Sequence, residues 1–214
     1  MKHRIVFTLL IGFFALSFIG AQDLDKILDS HFKAIGQEKL LKVRTMEAKG
    51  KMTIAMMGSE GGFKTINKMP DKMWVEVEVM GSTVVQAYDG TTVWTINPMM
   101  GSGGAVEMTG PEAEGFIERA DMEGQLWNYK EKGHTLELLG TEELGDSKVY
   151  LLKLTKKSGN IDHYYLDAED YVILKIKTKI NANGMEMDME TLMSDYREVD
   201  GYLGAYKIEQ KVGG

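Results

Sequence analysis

The chain has 214 residues, 43% of them hydrophobic, with 25 basic against 32 acidic side chains, a net charge of -7 and no cysteine. The missing cysteines exclude a disulfide framework, a thiolate nucleophile, a zinc–cysteine site and an acylated cysteine at the start of the mature chain. The acidic balance argues against nucleic acid and against anionic membrane surfaces as partners.

Lys2 and Arg4 precede an apolar run from Ile5 to Ile19, and Gly20-Ala21 before Gln22 offers a small-residue cleavage point. This predicts a secretory signal peptide over residues 1–21, with 22–214 as one mature domain. The run is short for a membrane span of about twenty residues, so a soluble, exported protein is expected. Cleavage removes two cations and no acid, moving the net charge from -7 to -9.

From Leu24 to Val43 the apolar residues Leu24, Ile27, Leu28, Phe32, Ile35, Leu40 and Leu41 recur at three and four, predicting one helix or two short ones interrupted at Gly36. The period then changes to two. Met46 to Met56, Phe63 to Met69, Met73 to Met80, Thr83 to Tyr88 and Thr91 to Ile96 alternate as strands, with turns at Gly58 to Gly62, Pro70-Asp71, Gly81-Ser82 and Asp89-Gly90. Asn97 to Gly110, with Met99 and Met100, reads as a long apolar loop.

Thr109-Gly110-Pro111-Glu112 matches a capping box, predicting a second helix that carries Phe116, Ile117, Ala120, Leu126 and Trp127 and ends near Lys132-Gly133. Strand patterns resume at Thr135–Leu139, Val149–Thr155, His163–Leu166, Tyr171–Ile180 and Ala205–Val212. Between the last two, Met185, Met187, Met189 and Met193 alternate with Glu186, Asp188 and Glu190. One side of that strand is thioether, polarizable and able to repack around irregular shapes; the other meets water. About ten or eleven antiparallel strands with two helices predict a mainly β (α+β) fold, a curled sheet with helices covering its hollow.

Catalytic chemistry finds little support. His31, His134 and His163 lack metal-ligand spacing and read as solvated surface residues, and Gly101-Ser102-Gly103-Gly104 lacks the Lys-Ser/Thr ending of a phosphate loop. No nucleophile elbow is present, and no metal or cofactor is expected. The Met-x-Met spacing leaves Cu(I) binding as one alternative, since soft thioethers suit that ion.

Several segments together resemble a known family. Lys68-Met69-Pro70-Asp71-Lys72-Met73-Trp74, then Gln86 through the Asp89-Gly90 turn to Val93-Trp94-Thr95-Ile96-Asn97-Pro98, then Tyr164-Tyr165-Leu166-Asp167 and Asp195 to Gly201, resemble in order the LolA/LolB-like periplasmic lipoprotein carriers. Ala34 to Leu40 resembles the outer membrane lipoprotein-sorting proteins of Bacteroidetes type. The resemblance implies an incomplete antiparallel β-barrel with an N-terminal and an inserted helix as lid, enclosing a hydrophobic cavity for acyl chains. Where such carriers have an arginine before the proline, this chain has Met69, so lid control by that residue does not carry over.

The expected function is a periplasmic carrier that binds lipoprotein acyl chains or another lipid and passes them toward the outer membrane, without enzymatic activity. Expected partners are that lipid, an inner-membrane donor protein and an outer-membrane acceptor; no nucleic acid is expected, and the protein is expected to be monomeric. Candidate ligand-binding residues are Met52, Ile54, Met56, Met73, Val75, Val77, Val79, Trp94, Ile96, Met99, Met100, Phe116, Met187 and Met189. Ordinary core packing is the alternative role for each. An envelope sensor or scaffold of the same fold is the alternative function.

Overall fold

The period-two alternation is realised as twelve strands among the described residues, which in this computed structural model are 15–54, 58–101, 103–182 and 185–213. They form two six-stranded antiparallel sheets, each in sequence order: β1 (Thr45–Ile54), β2 (Ser59–Lys68), β3 (Lys72–Val79), β4 (Ser82–Tyr88), β5 (Val93–Ile96) and β6 (Val106–Met108); then β7 (Thr135–Leu144), β8 (Ser147–Thr155), β9 (Ile161–Asp167), β10 (Ile173–Ala182), β11 (Met185–Val199) and β12 (Tyr202–Val212). The fold is mainly β, as expected. The ladder does not run continuously from β6 to β7, because a helix and a run of turns intervene. The chain divides into two compact units, residues 37–128 around the first sheet and residues up to 36 with 129–214 around the second.

In the first unit a short helix α2 (Gln37–Leu40) leads into the meander, and α3 (Pro111–Ala120) follows β6. Gln37 is buried and its side-chain amide donates to the Glu123 carbonyl at 2.8 Å, which fastens α2 to the turns after α3. Short turns fix the register. Met80-Gly81 connects Val79 to its partner Ser82, so Trp74 faces Ala87 and Met73 faces Tyr88. At the next turn the Asp89 carboxylate accepts from the Thr91 and Thr92 N–H groups at 2.8 and 2.9 Å, a capped loop whose Gly90 has φ +97.

Four local expectations change. Gly61 and Gly62 are not turn residues but lie inside β2, opposite Met52 and Lys51; a Cβ on Gly61 would stand 1.9 Å from the Glu78 carbonyl oxygen, so only glycine permits that backbone approach. The expected loop Asn97–Gly110 contains β6. The capping box is not formed, since Gly110 rather than Thr109 is the N-cap, without a side-chain cap bond, and Pro111 takes the first turn. That helix stops at Ala120, and Leu126 and Trp127 sit in the turns beyond it.

In the second unit α1 (Ala15–Ile35) contacts β7 and β12. Leu24, Ile27, Leu28 and His31 form its buried stripe at the three-and-four spacing of one helix face. Gly36 ends it with φ +71, and a Cβ there would approach the Gly201 carbonyl oxygen to 2.0 Å. Leu152, Leu154, Leu166 and Val149 are completely buried in this unit.

Candidate functional site

Pairing across the six strands of the first sheet sorts its side chains into rows. One face carries Met46, Asn67, Met73, Tyr88, Val93 and Met108 in its first row and Ala48, Thr65, Val75, Gln86, Thr95 and Val106 in its second. A third row holds Gly50, Phe63, Val77 and Val84, and Met52 pairs with Gly61 beyond it. Phe63 lies over Gly50, where a Cβ would come within 2.4 Å of its ring. α3 seats on the first row: Phe116 is fully buried with Met73, Val93, Ala113 and Ala120, and Val75, Tyr88 and Met108 pack at the edge of that cluster. Farther along the same face, Met52, Ile54, Phe63, Val77, Val79 and Val84 are only half-buried. A surface of this kind carries no charged group in its third row and suits an apolar ligand.

The sequence candidates therefore divide. Met52, Ile54, Met73, Val75, Val77 and Val79 share the α3 face with Phe116. Trp94 and Ile96 do not: Trp94 is in register with Ala87 and, through it, Trp74, and Ile96 with Val85, all on the opposite face. Met99 and Met100 stand in a 3-10 turn, Pro98–Met100, capped by the Asn97 side chain accepting from the Met99 N–H at 3.1 Å, with Met100 79% exposed. Met56 lies outside the described residues. Phe63 and Val84 also lie on the α3 face, placed there by the short turns Met69–Asp71 and Met80-Gly81, whose lengths were the signal in the sequence.

Met187 and Met189 are half-buried on β11, on the side of the second sheet that carries Leu136, Leu154, Asp162 and Thr178. Glu186, Asp188 and Glu190 project from the other side, where Lys179, Lys177 and Lys175 pair with them at 3.1, 3.0 and 3.7 Å. The Lys177 ammonium, hydrogen-bonded to Asp188, holds that carboxyl below its ordinary range. A cavity of about 410 Å³ lies between α1 and this sheet, lined by Asp23, Lys26, Ile27, Leu138, Tyr150 and Tyr171 among others. Tyr150 and Tyr171 stack there with ring centroids 6.0 Å apart.

His31 corrects its expected surface role. It is buried, and its Nδ1 donates to the Tyr171 carbonyl at 2.7 Å. Burial lowers its basicity, with the Tyr171 contact acting in the opposite direction. Tyr171 itself has φ +57, an unusual backbone for a bulky residue, and the histidine anchors that turn. Among the described residues no group of three His, Asp or Glu side chains stands close enough to hold a metal ion, and no helix is long and apolar enough to cross a membrane.

Comparison with solved structures decides the fold. A LolA superfamily protein from Nitrosomonas europaea superposes with a TM-score of 0.56 over 87% of this chain and 84% of its own, at 15% identity. The fold is LolA-like. A domain from Vibrio parahaemolyticus assigned as an outer membrane lipoprotein-sorting protein matches with a TM-score of 0.54, 14% identity, and 87% and 86% coverage. A DUF1329 family protein from Desulfovibrio piger matches with a TM-score of 0.58, 13% identity, and 86% and 85% coverage. No family profile matches the chain, and no curated protein matches it. The LolA-like fold is thus shared in backbone path while the side chains on it differ.

Proposed function

We propose that this protein is an exported, periplasmic carrier that shelters acyl chains of a lipoprotein or another lipid on the α3 face of its first sheet and passes them toward the outer membrane. The observation that carries this reading is the run of half-buried apolar rows, Met52, Ile54, Phe63, Val77, Val79 and Val84, continuing past the packed seat of α3. Each acyl methylene removed from water contributes about 0.8 kcal/mol, so a chain of ordinary length is held by burial alone, without a catalytic group. On the second sheet Met187 and Met189 form a separate thioether strip of that unit, which suits chains of variable shape. The LolA-like fold supports the same reading, since two structures that share it bear LolA or lipoprotein-sorting names.

Binding by burial gives a sharp test at Val77, which sits in the row with Phe63 and Val84. Val77→Asp places a carboxylate where the acyl chain lies. Native mass spectrometry of the protein purified from cell envelopes should show bound lipid for the wild type and none for Val77→Asp, with both unfolding at nearly the same urea concentration. A wild-type protein that is repeatedly empty would instead favour a sensor or scaffold.

A further inference from the structure

The opposite face of the first sheet is divided into two halves. On β1 to β3 it is charged, with Glu47 and Lys49 paired at 2.6 Å and Lys64 in register with Glu76. On β3 to β5 it is apolar: Trp74 and Trp94 flank Ala87, and with Val85, Ile96 and Ala105 they line a depression of about 210 Å³. The two tryptophans are each 38% exposed. They lie two strands apart, about 9.5 Å at the usual interstrand spacing, and the methyl group of Ala87 between them makes the floor.

Acidic groups stand on either side of this notch. Glu76 accepts from the Trp74 indole at 3.0 Å, which holds that ring upright, and exposed Glu107 pairs in register with Trp94. The geometry points to a docking socket for a protein partner that inserts one large apolar side chain between Trp74 and Trp94 and sets flanking arginine or lysine residues against Glu76 and Glu107. Half-exposed tryptophans around a desolvated pocket are the residue type that anchors protein interfaces, and an arginine can both stack on an indole and pair with a carboxylate. The carboxylates of Glu76 and Glu107 and the net negative charge of the chain disfavour an anionic bilayer at the same place. This socket is independent of the lipid reading, because it occupies the other face of the sheet.

The test uses a capped hexapeptide of alternating arginine and leucine, followed by the indole N–H resonances of the full chain. Trp74 and Trp94 should shift and Trp127, the third tryptophan, should not. Ala87→Leu, which fills the floor while keeping both rings, should weaken binding at least tenfold, and Glu107→Gln several-fold, with the difference shrinking in high salt. Val77→Asp should bind the peptide normally. Uniform shifts of all three indoles, equal binding of a glutamate–leucine peptide, or a response only to phosphatidylcholine vesicles would overturn the socket. Should Ala87→Leu fail to fold, Trp94→Ala serves the same comparison.

Discussion

The two sheets bury their strands very differently. In the first, Met73 and Val93 are the buried strand residues among those described; in the second, Leu136, Val149, Leu151, Leu152, Leu154, Asp162, Tyr164 and Leu166 all are. Both have six strands in sequence order, so topology does not explain the contrast. Side-chain choice does: leucines lock into defined rotamers in the second sheet, whereas valine, methionine and glycine leave the first with an incompletely filled face. A fold divided this way can keep its stability in one sheet and leave the other free to adapt.

The largest expected effects fall in the second sheet. Lys156 and Asp162 form an ion pair at 2.8 Å with both side chains nearly inaccessible, and Thr178 donates to the same carboxylate. Asp162→Ala strands the ammonium and should cost about 3–5 kcal/mol in urea unfolding. Leu152→Ala, at a fully buried position, should cost about 2–5 kcal/mol. Neither change touches the half-buried face of the first sheet, so surviving folded protein should still retain lipid. If Val77→Asp destabilised the chain as much as Leu152→Ala, the contrast between sheets would be lost and Val77 would be core.

Much of this division was legible in the residues. Period-two and strand-type patterns between turn signals located eleven of the strands, Gly36 ends the first helix, and the Asp89-Gly90 turn forms where expected. β6 escaped because three residues between glycine-rich segments are too short to show a period. The second helix is shorter than the apolar spacing through Leu126 predicts, because Asp121 leaves the helical backbone at ψ 97 and Gly124 follows at φ +84. The site was only half legible. Alternation within a strand says which residues share a side, but it does not say how one strand's sides match the next, so alternation alone places Trp94 and Ile96 beside valines that face away from them. The burial of Asp162 is legible in its strand parity, which it shares with Tyr164 and Leu166.

A smaller effect should appear at His31. Burial holds its folded-state pKa below the ordinary value of 6.5, so the unfolded chain takes up the proton more readily. The associated stability is fully present above that value and declines as pH falls through 6.5 toward the folded-state pKa. His31→Gln keeps a donor for the Tyr171 carbonyl and removes the titration. Urea midpoints measured between pH 5 and 8 should then lose part of their acid slope, and an unchanged slope would assign it to the carboxylates.

The smallest effect is expected on the charged side of β10 and β11. Lys175, Lys177 and Lys179 each pair diagonally with Glu190, Asp188 and Glu186, one after another along the hairpin. The exposed pairs of Lys177 and Lys179 are weak singly and screened by salt, yet the regular offset of all three matters for register. A slip of one residue would turn Met187 and Met189 to the solvent side and bring the acids inward. Lys177→Glu should therefore lower thermal stability slightly at low ionic strength, with the difference vanishing at molar salt. Any lipid retention should remain unchanged, because the diagonal pairs on either side still specify the same register. A loss of lipid that persists in high salt would mean that Lys177 acts through the packing of its aliphatic stem rather than through its charge.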